Sequence, residues 1–197
     1  MLRIQDFVAS CPSSPLAAWA ALAPSELTSS CAKVVRGLLS ALSSTEYSRS
    51  GEVAVHRSAV VEAGATIKGP LIIGAECFVA SGSYVRGGCW LAEGCTVGPG
   101  VELKSTFVFS QTTFAHFNFV GDSIVGANVN LEAGAIVCNF RNERPAVERA
   151  AKFGALIGDG SRIGANAVLA PGTILPSHTV VARLALVDHE LRPSAGV

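Results

Sequence analysis

The chain has no surplus of charge of either sign: 15 Lys and Arg stand against 15 Asp and Glu in 197 residues. Without a polycationic footprint, nucleic acid is not an expected partner. It also lacks any apolar run near the roughly 20 residues that a membrane-spanning helix requires. The apolar stretch from Leu16 to Ala23 follows a leader with Asp6, Pro12 and almost no net positive charge. It therefore reads as helix rather than secretory signal, and the expected compartment is cytoplasmic. Six cysteines are present, but Cys11, Cys31 and Cys138 form no C-x-x-C pair and have no His at ligand spacing. No structural zinc, and no metal of any kind, is expected.

What the chain does have is a period of six. Ten large apolar residues stand six apart: Val55, Val61, Ile67, Ile73, Val79, Val85, Leu91, Val97, Leu103 and Phe109. Two positions before each runs a smaller row, Val53, Ala59, Ala65, Leu71, Cys77, Ser83, Cys89, Cys95, Val101 and Phe107. A six-residue period fits neither an isolated helix nor an ordinary strand, and it marks a hexapeptide coil. Each hexad supplies a short strand and a corner, and three hexads close a triangular turn stacked at about 4.8 Å on the next. Both rows point into the prism, which makes Cys77, Cys89 and Cys95 small buried hydrophobes. The phase jumps after Phe109, returns at Phe119, Val125, Leu131 and Val137, jumps again, and resumes at Ile157, Ile163, Leu169, Leu175 and Val181. About six turns result. The expected fold is an all-β solenoid over residues 53–183, with loop insertions near 110–118 and 140–154.

Residues 1–45 have a different texture. Ser14-Pro15 is suited to start a helix through Leu22, and Pro24-Ser25-Glu26 a second through Leu42. Their apolar faces would cap the first coil or meet a neighbouring chain. Residues 46–52, within a polar stretch from Ser44 to Gly51, read as a linker, and 184–197 as a C-terminal tail.

The first phase jump carries Thr112-Thr-Phe-Ala-His116-Phe-Asn-Phe-Val120-Gly-Asp122-Ser, then Val125-Gly-Ala-Asn-Val-Asn130-Leu-Glu-Ala-Gly134 and Cys138-Asn139-Phe140-Arg141. This resembles the H-x-x-Y-V-G-D-S-x-I-G-x-x-x-N-x-G-A-G pattern of the acetyltransferase domain of bifunctional N-acetylglucosamine-1-phosphate uridyltransferase/glucosamine-1-phosphate acetyltransferase. It is similar also to C-terminal domains of related sugar-1-phosphate nucleotidylyltransferases, whose Lys-Phe/Leu-Gly-Ala-Ile-Ile-Gly-Asp is echoed by Lys152-Phe-Gly-Ala-Leu-Ile-Gly-Asp159. The likeness covers roughly residues 67–182.

The resemblance implies a left-handed parallel β-helix, a homotrimer, and acetyl-CoA as acyl donor bound between subunits. It implies His116 as general base and Asn139 beside the reacting amine. Arg86 and Lys104 would hold the sugar phosphate, with Asn130 and Phe119 lining the sugar site and Ala165 and Lys152 on the acyl-CoA side. Elementary chemistry fits these roles. An amine must lose its proton to attack a thioester, and His titrates near neutrality. Arg offers a fork and Lys a point charge to phosphate oxygens. Arg86 and Lys104 lie one full turn apart, so they should stack on adjacent coils. A backbone N–H near Gly164-Ala165 is the matching oxyanion donor.

Each residue has a plainer reading. His116 among Phe114, Phe117 and Phe119 suits a packed or capping side chain, Arg86 and Lys104 suit solvated corners, and Asn130 and Asn139 suit coil corners for backbone reasons. Asp122 reads as a turn former. The pattern is also broken in places: Phe119 stands for a Tyr, Phe140 for a Tyr, Ala165 for a Ser and Glu132 for a Gly. The second interruption carries Arg141, Arg144, Arg149 and Lys152 against Glu143 and Glu148, and reads either as a gate that binds CoA phosphates or as a solvated excursion. About 45 helical residues cannot supply a Gly-rich nucleotide-binding domain, so nucleotide transfer is expected only from a separate nucleotidylyltransferase subunit.

The expected function is therefore an acyl-CoA-dependent N-acyltransferase acting on an amino-sugar 1-phosphate or related sugar nucleotide. A solenoid that binds such a ligand without catalysis is the alternative. An O-acyltransferase would not need Arg86 and Lys104. A carbonic-anhydrase-like site would need three histidines together, and His56, His178 and His189 are far from His116 in coil order.

Overall fold

A computed structural model describes residues 2–144 and 152–189. Short strands stack in parallel into three sheets of eight, seven and seven strands, the faces of a triangular solenoid of about seven turns. This is the architecture of a parallel β-helix, as the hexads require. It has more rungs than the row count suggested, because Thr113–Phe114 and Leu186–Val187 each add one. Residues 46–52 are not all irregular: Tyr47–Ser50 pairs antiparallel with Val53–His56 at the start of the first face.

The inward rows follow the sequence as far as Leu103 and then differ. Register between adjacent coils is eighteen residues at Lys104↔Arg86 and seventeen at Val108↔Leu91. One residue is lost at the corner between them, so the large inward residue is Val108 rather than Phe109. The same slip makes Val120 inward and turns Phe119 outward, and a second short corner at Gly121–Ser123 then brings Val125 into the row. Phe114 fills the large row between Val108 and Val120 and is fully buried. The expected insertion at 110–118 is thus absent: Thr113–Phe114 is a regular rung between Thr96–Val97 and Asn130–Leu131. The extra residues expected at 140–154 are present, since Val125↔Ile157 spans thirty-two positions. Arg149 and Glu148 lie outside the described residues.

The small row turns polar in the middle coils, with Thr106, Thr112, Asn118 and Ser123 all buried. A buried hydroxyl is tolerated when it is hydrogen-bonded. The Thr112 hydroxyl donates to Gly126 O at 2.7 Å and that of Ser123 to Gly121 O at 2.7 Å.

The first slip also puts Phe107 on the outside of the first face, in a column with Ile72, Trp90, Ile124 and Leu156. That outer column is apolar because the N-terminal segment lies over it. Helix α1 (Pro24–Ser29) and helix α2 (Cys31–Ala41) break at Ser30, and the segment expected to be helical from Ser14-Pro15 through Leu22 forms only a 3₁₀ turn at Ala17–Trp19. Ile4, Val8, Leu16, Leu27, Val34 and Val35 pack with the column in a second core outside the prism. The segment thus covers a side of the solenoid rather than closing its first coil. Its docking is fixed at both ends. Gly88, at φ +90°, lets α2 approach so closely that a Cβ would lie 2.6 Å from Ala32 N. At the far end, Asp159 accepts hydrogen bonds from the N–H groups of Ala9 and Ala127 at 2.9 and 2.7 Å.

Phe107→Ala should therefore cost about 3–5 kcal/mol, the range for a buried Phe, while Phe119→Ala costs far less. Denaturant unfolding of the two variants checks this; equal losses would contradict the placement of the slips.

Candidate functional site

The third face, built from Thr66–Ile67, Tyr84–Arg86, Glu102–Lys104, Phe119–Gly121 and Ile136–Val137, carries most of the residues singled out by sequence. Arg86 and Lys104 are direct neighbours in register at its trailing edge, as their spacing required. Neither is bare. Arg86 binds Glu102 at 2.7 Å, and the Lys104 ammonium lies 2.9 and 2.6 Å from the two oxygens of Asp122. Asp122 is only 8% exposed at its side chain and Lys104 19%. Breaking a pair this deep strands a charge in a poorly solvated place and costs about 3–5 kcal/mol.

Asp122 sits at φ +48°, a left-handed turn position that Asp accepts. It is more than a turn former, because the Asn139 amide also donates to its carboxylate. Asn139 lies so close above Gly121 that a Cβ there would be 2.5 Å from its Nδ2 and 2.9 Å from the Phe119 ring. The trailing edge thus gathers Arg86, Lys104, Asn139 and Phe119, with Asp122 and Glu102 as the members sequence reading missed. Their signal was positional: Glu102 precedes Lys104 by two, and Asp122 lies one coil above Lys104.

His116 is elsewhere. It is exposed at the leading edge of the same face, beside Phe117, which is 70% exposed. His116 lies in the bend before the strand Phe119–Gly121, with Phe117 at φ +52°, whereas Asp122 lies just after it, so the width of the face stands between His116 and the Lys104 corner. Up the leading edge, His116 O accepts from Gly134 N, and Ala133 O from Asn166 N. This places Ala165 about two turns, or roughly 10 Å, from His116. Asn130 lies on the neighbouring face, paired between Thr113 and Arg162. The residues expected to form one site therefore fall into two groups at opposite edges of the third face.

Glu132, where the pattern has Gly, explains itself here. Its carboxylate accepts the Ala165 N–H at 2.8 Å and two hydrogen bonds from Arg183 at 2.7 and 2.6 Å. The proposed oxyanion donor is thus occupied. Lys152 rests over the Phe140 ring at 5.5 Å. Arg141 is committed to Asp188 at 2.7 Å and to Pro171 O at 3.1 Å, which ties the base of the insertion to the last coil. Among the described residues no three His, Cys, Asp or Glu side chains converge as metal ligands, and no helix is long and apolar enough to cross a membrane.

Residues 70–105 match the model of the bacterial transferase hexapeptide (six repeats) family. Those residues are hexapeptide repeats within the solenoid. The bifunctional protein GlmU of Methanococcus maripaludis strain S2 is 31% identical over 110 residues, covering 51% of this chain and 27% of that protein. GlmU of Buchnera aphidicola subsp. Acyrthosiphon pisum is 30% identical over 111 residues, covering 56% and 23%. The chain thus spans about a quarter of the length of the curated relatives it matches. Among solved structures, the acetyltransferase domain of PglB from Neisseria gonorrhoeae FA1090 matches over 72% of this chain and 51% of its own, at 17% identity and a TM-score of 0.26. Arabidopsis UDP-N-acetylglucosamine acyltransferase matches over 67% and 58%, at 19% identity and a TM-score of 0.30. The resemblance carried by the His116 to Asn139 motif is to the same GlmU proteins.

The hydrogen bonds of Arg183 and then of the Ala165 N–H hold the Glu132 carboxyl below its ordinary value of 4.5. A lowered folded value means that the clasp is complete above the unfolded pKa and is lost as pH falls through the folded one. The Ala165 amide resonance should accordingly shift with a midpoint below 4.5, and stay flat in Glu132→Gln. A midpoint at or above the ordinary value would mean that the clasp does not form in solution.

Proposed function

We propose that the chain is an acyl-CoA-dependent N-acyltransferase for an amino-sugar 1-phosphate or sugar nucleotide, working in the cytoplasm as a homotrimer. The observation that carries this reading is the trailing edge, where two cations in register and an oriented Asn139 amide lie at one corner. The relation to GlmU supports a transferase. The edge-to-edge separation of His116 from that corner supports a site completed by a second copy, since a three-fold arrangement can set the leading edge of one chain against the trailing edge of the next.

In this reading Arg86 and Lys104 take the phosphate, which displaces Glu102 and Asp122 as their partners. Asn130, contributed with the leading edge, and Phe119 at the trailing edge border the sugar. Asn139 positions the amine. His116 accepts a proton as the amine nitrogen bonds to the thioester carbonyl carbon. Collapse of the tetrahedral adduct breaks the C–S bond, and the imidazolium returns the proton to the thiolate, giving amide and free thiol. The protein's own donors to the oxyanion are backbone amides, and Glu132 must release that of Ala165 for it to serve. Lys152 lies on the acyl-CoA side as a contact for its phosphates.

The second reading, a ligand-binding solenoid without catalysis, is favoured by that same Glu132 clasp and by Phe119, which lacks the hydroxyl of the matching Tyr.

A mixing experiment tests the first reading. His116→Ala and Lys104→Ala should each reduce thiol release from acetyl-CoA with glucosamine 1-phosphate by about 10²–10⁴-fold for the His variant, and substantially for the Lys variant. Co-assembled at equal ratio, they should recover about one quarter of wild-type activity, because one site in four receives both intact residues from adjacent chains. No recovery would contradict a shared site. A wild type that releases no thiol with amino-sugar phosphates or their nucleotide forms would leave the binding scaffold.

A further inference from the structure

The trailing edge of the third face holds a third cation that neither the motif nor the comparisons single out. Thr66–Ile67 pairs in register with Tyr84–Val85, and Lys68 N donates to Val85 O at 2.8 Å. Lys68 therefore follows its strand into the same corner position as Arg86 and Lys104. The three form a column, one cation per coil at about 4.8 Å per step. The Lys68 ammonium and the Arg86 guanidinium both lie against the Tyr84 ring, at 5.1 and 5.4 Å from its centroid.

The rungs differ in how they are neutralised. Glu102 serves Arg86, and Asp122 serves Lys104. The carboxylate at the coil below, Glu52, is held by Arg36 of helix α2. Among the described residues Lys68 has no carboxylate partner, only the π face of Tyr84. The column of three cations and two paired carboxylates therefore keeps one positive charge in excess, at the Lys68 rung. A monophosphate on Arg86 and Lys104 must displace two carboxylates and gains nothing from Lys68. A diphosphate, lying along the column, reaches a cation that costs no ion pair to engage.

We propose that Lys68 is a specificity residue that extends the anion site by one rung, so that the acceptor is a nucleoside diphosphate sugar rather than a sugar 1-phosphate. This inference rests on the reading of Arg86 and Lys104 as phosphate ligands, and it does not depend on catalysis. Tyr84 positions the rung: its ring lies against the two lower cations, Lys68 and Arg86, in line with the column.

Calorimetric titration with UDP-N-acetylglucosamine and with N-acetylglucosamine 1-phosphate, on wild type, Lys68→Ala and Lys68→Arg, tests it. The wild type should bind the diphosphate at least about tenfold more tightly than the monophosphate, a single strong contact's worth. Lys68→Ala should remove about that tenfold for the diphosphate and leave the monophosphate unchanged, and Lys68→Arg should keep it. Equal weakening of both ligands, or no change in either, would overturn the proposal and return Lys68 to an ordinary surface charge. Diphosphate binding that depends on Lys68 in a chain that releases no thiol would sink acyl transfer and leave this assignment standing. Thiol release with a monophosphate acceptor, indifferent to Lys68, would do the reverse.

Discussion

Every coil of this solenoid must hydrogen-bond to the coil above and below it through all three faces, and that register decides where each side chain can be. A strand of two or three residues cannot shift by one without exchanging its inward and outward sides. Changes in coil length are therefore confined to corners, where the chain shortens by one at Lys104–Phe107 and at Gly121–Ser123 and lengthens after Val137. All three irregularities occur at the corner between the third face and the first. The corner that varies is the one that holds Lys104, Asp122 and Asn139, while the faces that position them stay regular.

The electrostatics of that corner are pre-balanced. Buried or half-buried cations are costly without partners, and Asp122 and Glu102 remove that cost. Asp122 has a second task, since it also holds the Asn139 amide. An incoming phosphate would then free a carboxylate and an amide together, coupling ligand charge to the position of Asn139. Glu132 plays a comparable part at the other edge, where Arg183 and the Ala165 N–H share one carboxylate. The charged groups at both edges are thus closed on internal partners.

The period of six made the solenoid legible because inward residues are selected by a narrow prism, and from Val55 to Leu103 the rows were read without error. Phe107, Phe109 and Phe119 fall on the six-residue phase but not inside the prism, because one residue is lost at the corner after Lys104 and another at the corner after Gly121, which no period announces. Phe107 faces outward under an N-terminal segment that makes that exterior dry, and Phe119 faces outward at the candidate site. The column Ile72, Trp90, Phe107, Ile124 and Leu156 was visible in the sequence at near-coil spacing, but its meaning depended on what covered it. Arg86 and Lys104 were legible because eighteen residues is one turn. Their carboxylate partners were not, because Glu102 and Asp122 reach them across strands and coils by side-chain conformation that spacing does not encode. The separation of His116 from Lys104 was hidden as well, since a linear motif does not say that a whole face lies between its members.

The account turns on two half-sites meeting across copies of the chain. Its most direct measurement is a structure of the assembled protein with acetyl-CoA and an amino-sugar phosphate or nucleotide bound. The predicted result places the phosphate on Arg86 and Lys104 of one copy, with the amine within hydrogen-bond reach, about 2.6–3.2 Å, of His116 of a neighbouring copy. A phosphate bound away from Arg86 and Lys104, or an amine that meets no His116 at all, would contradict it.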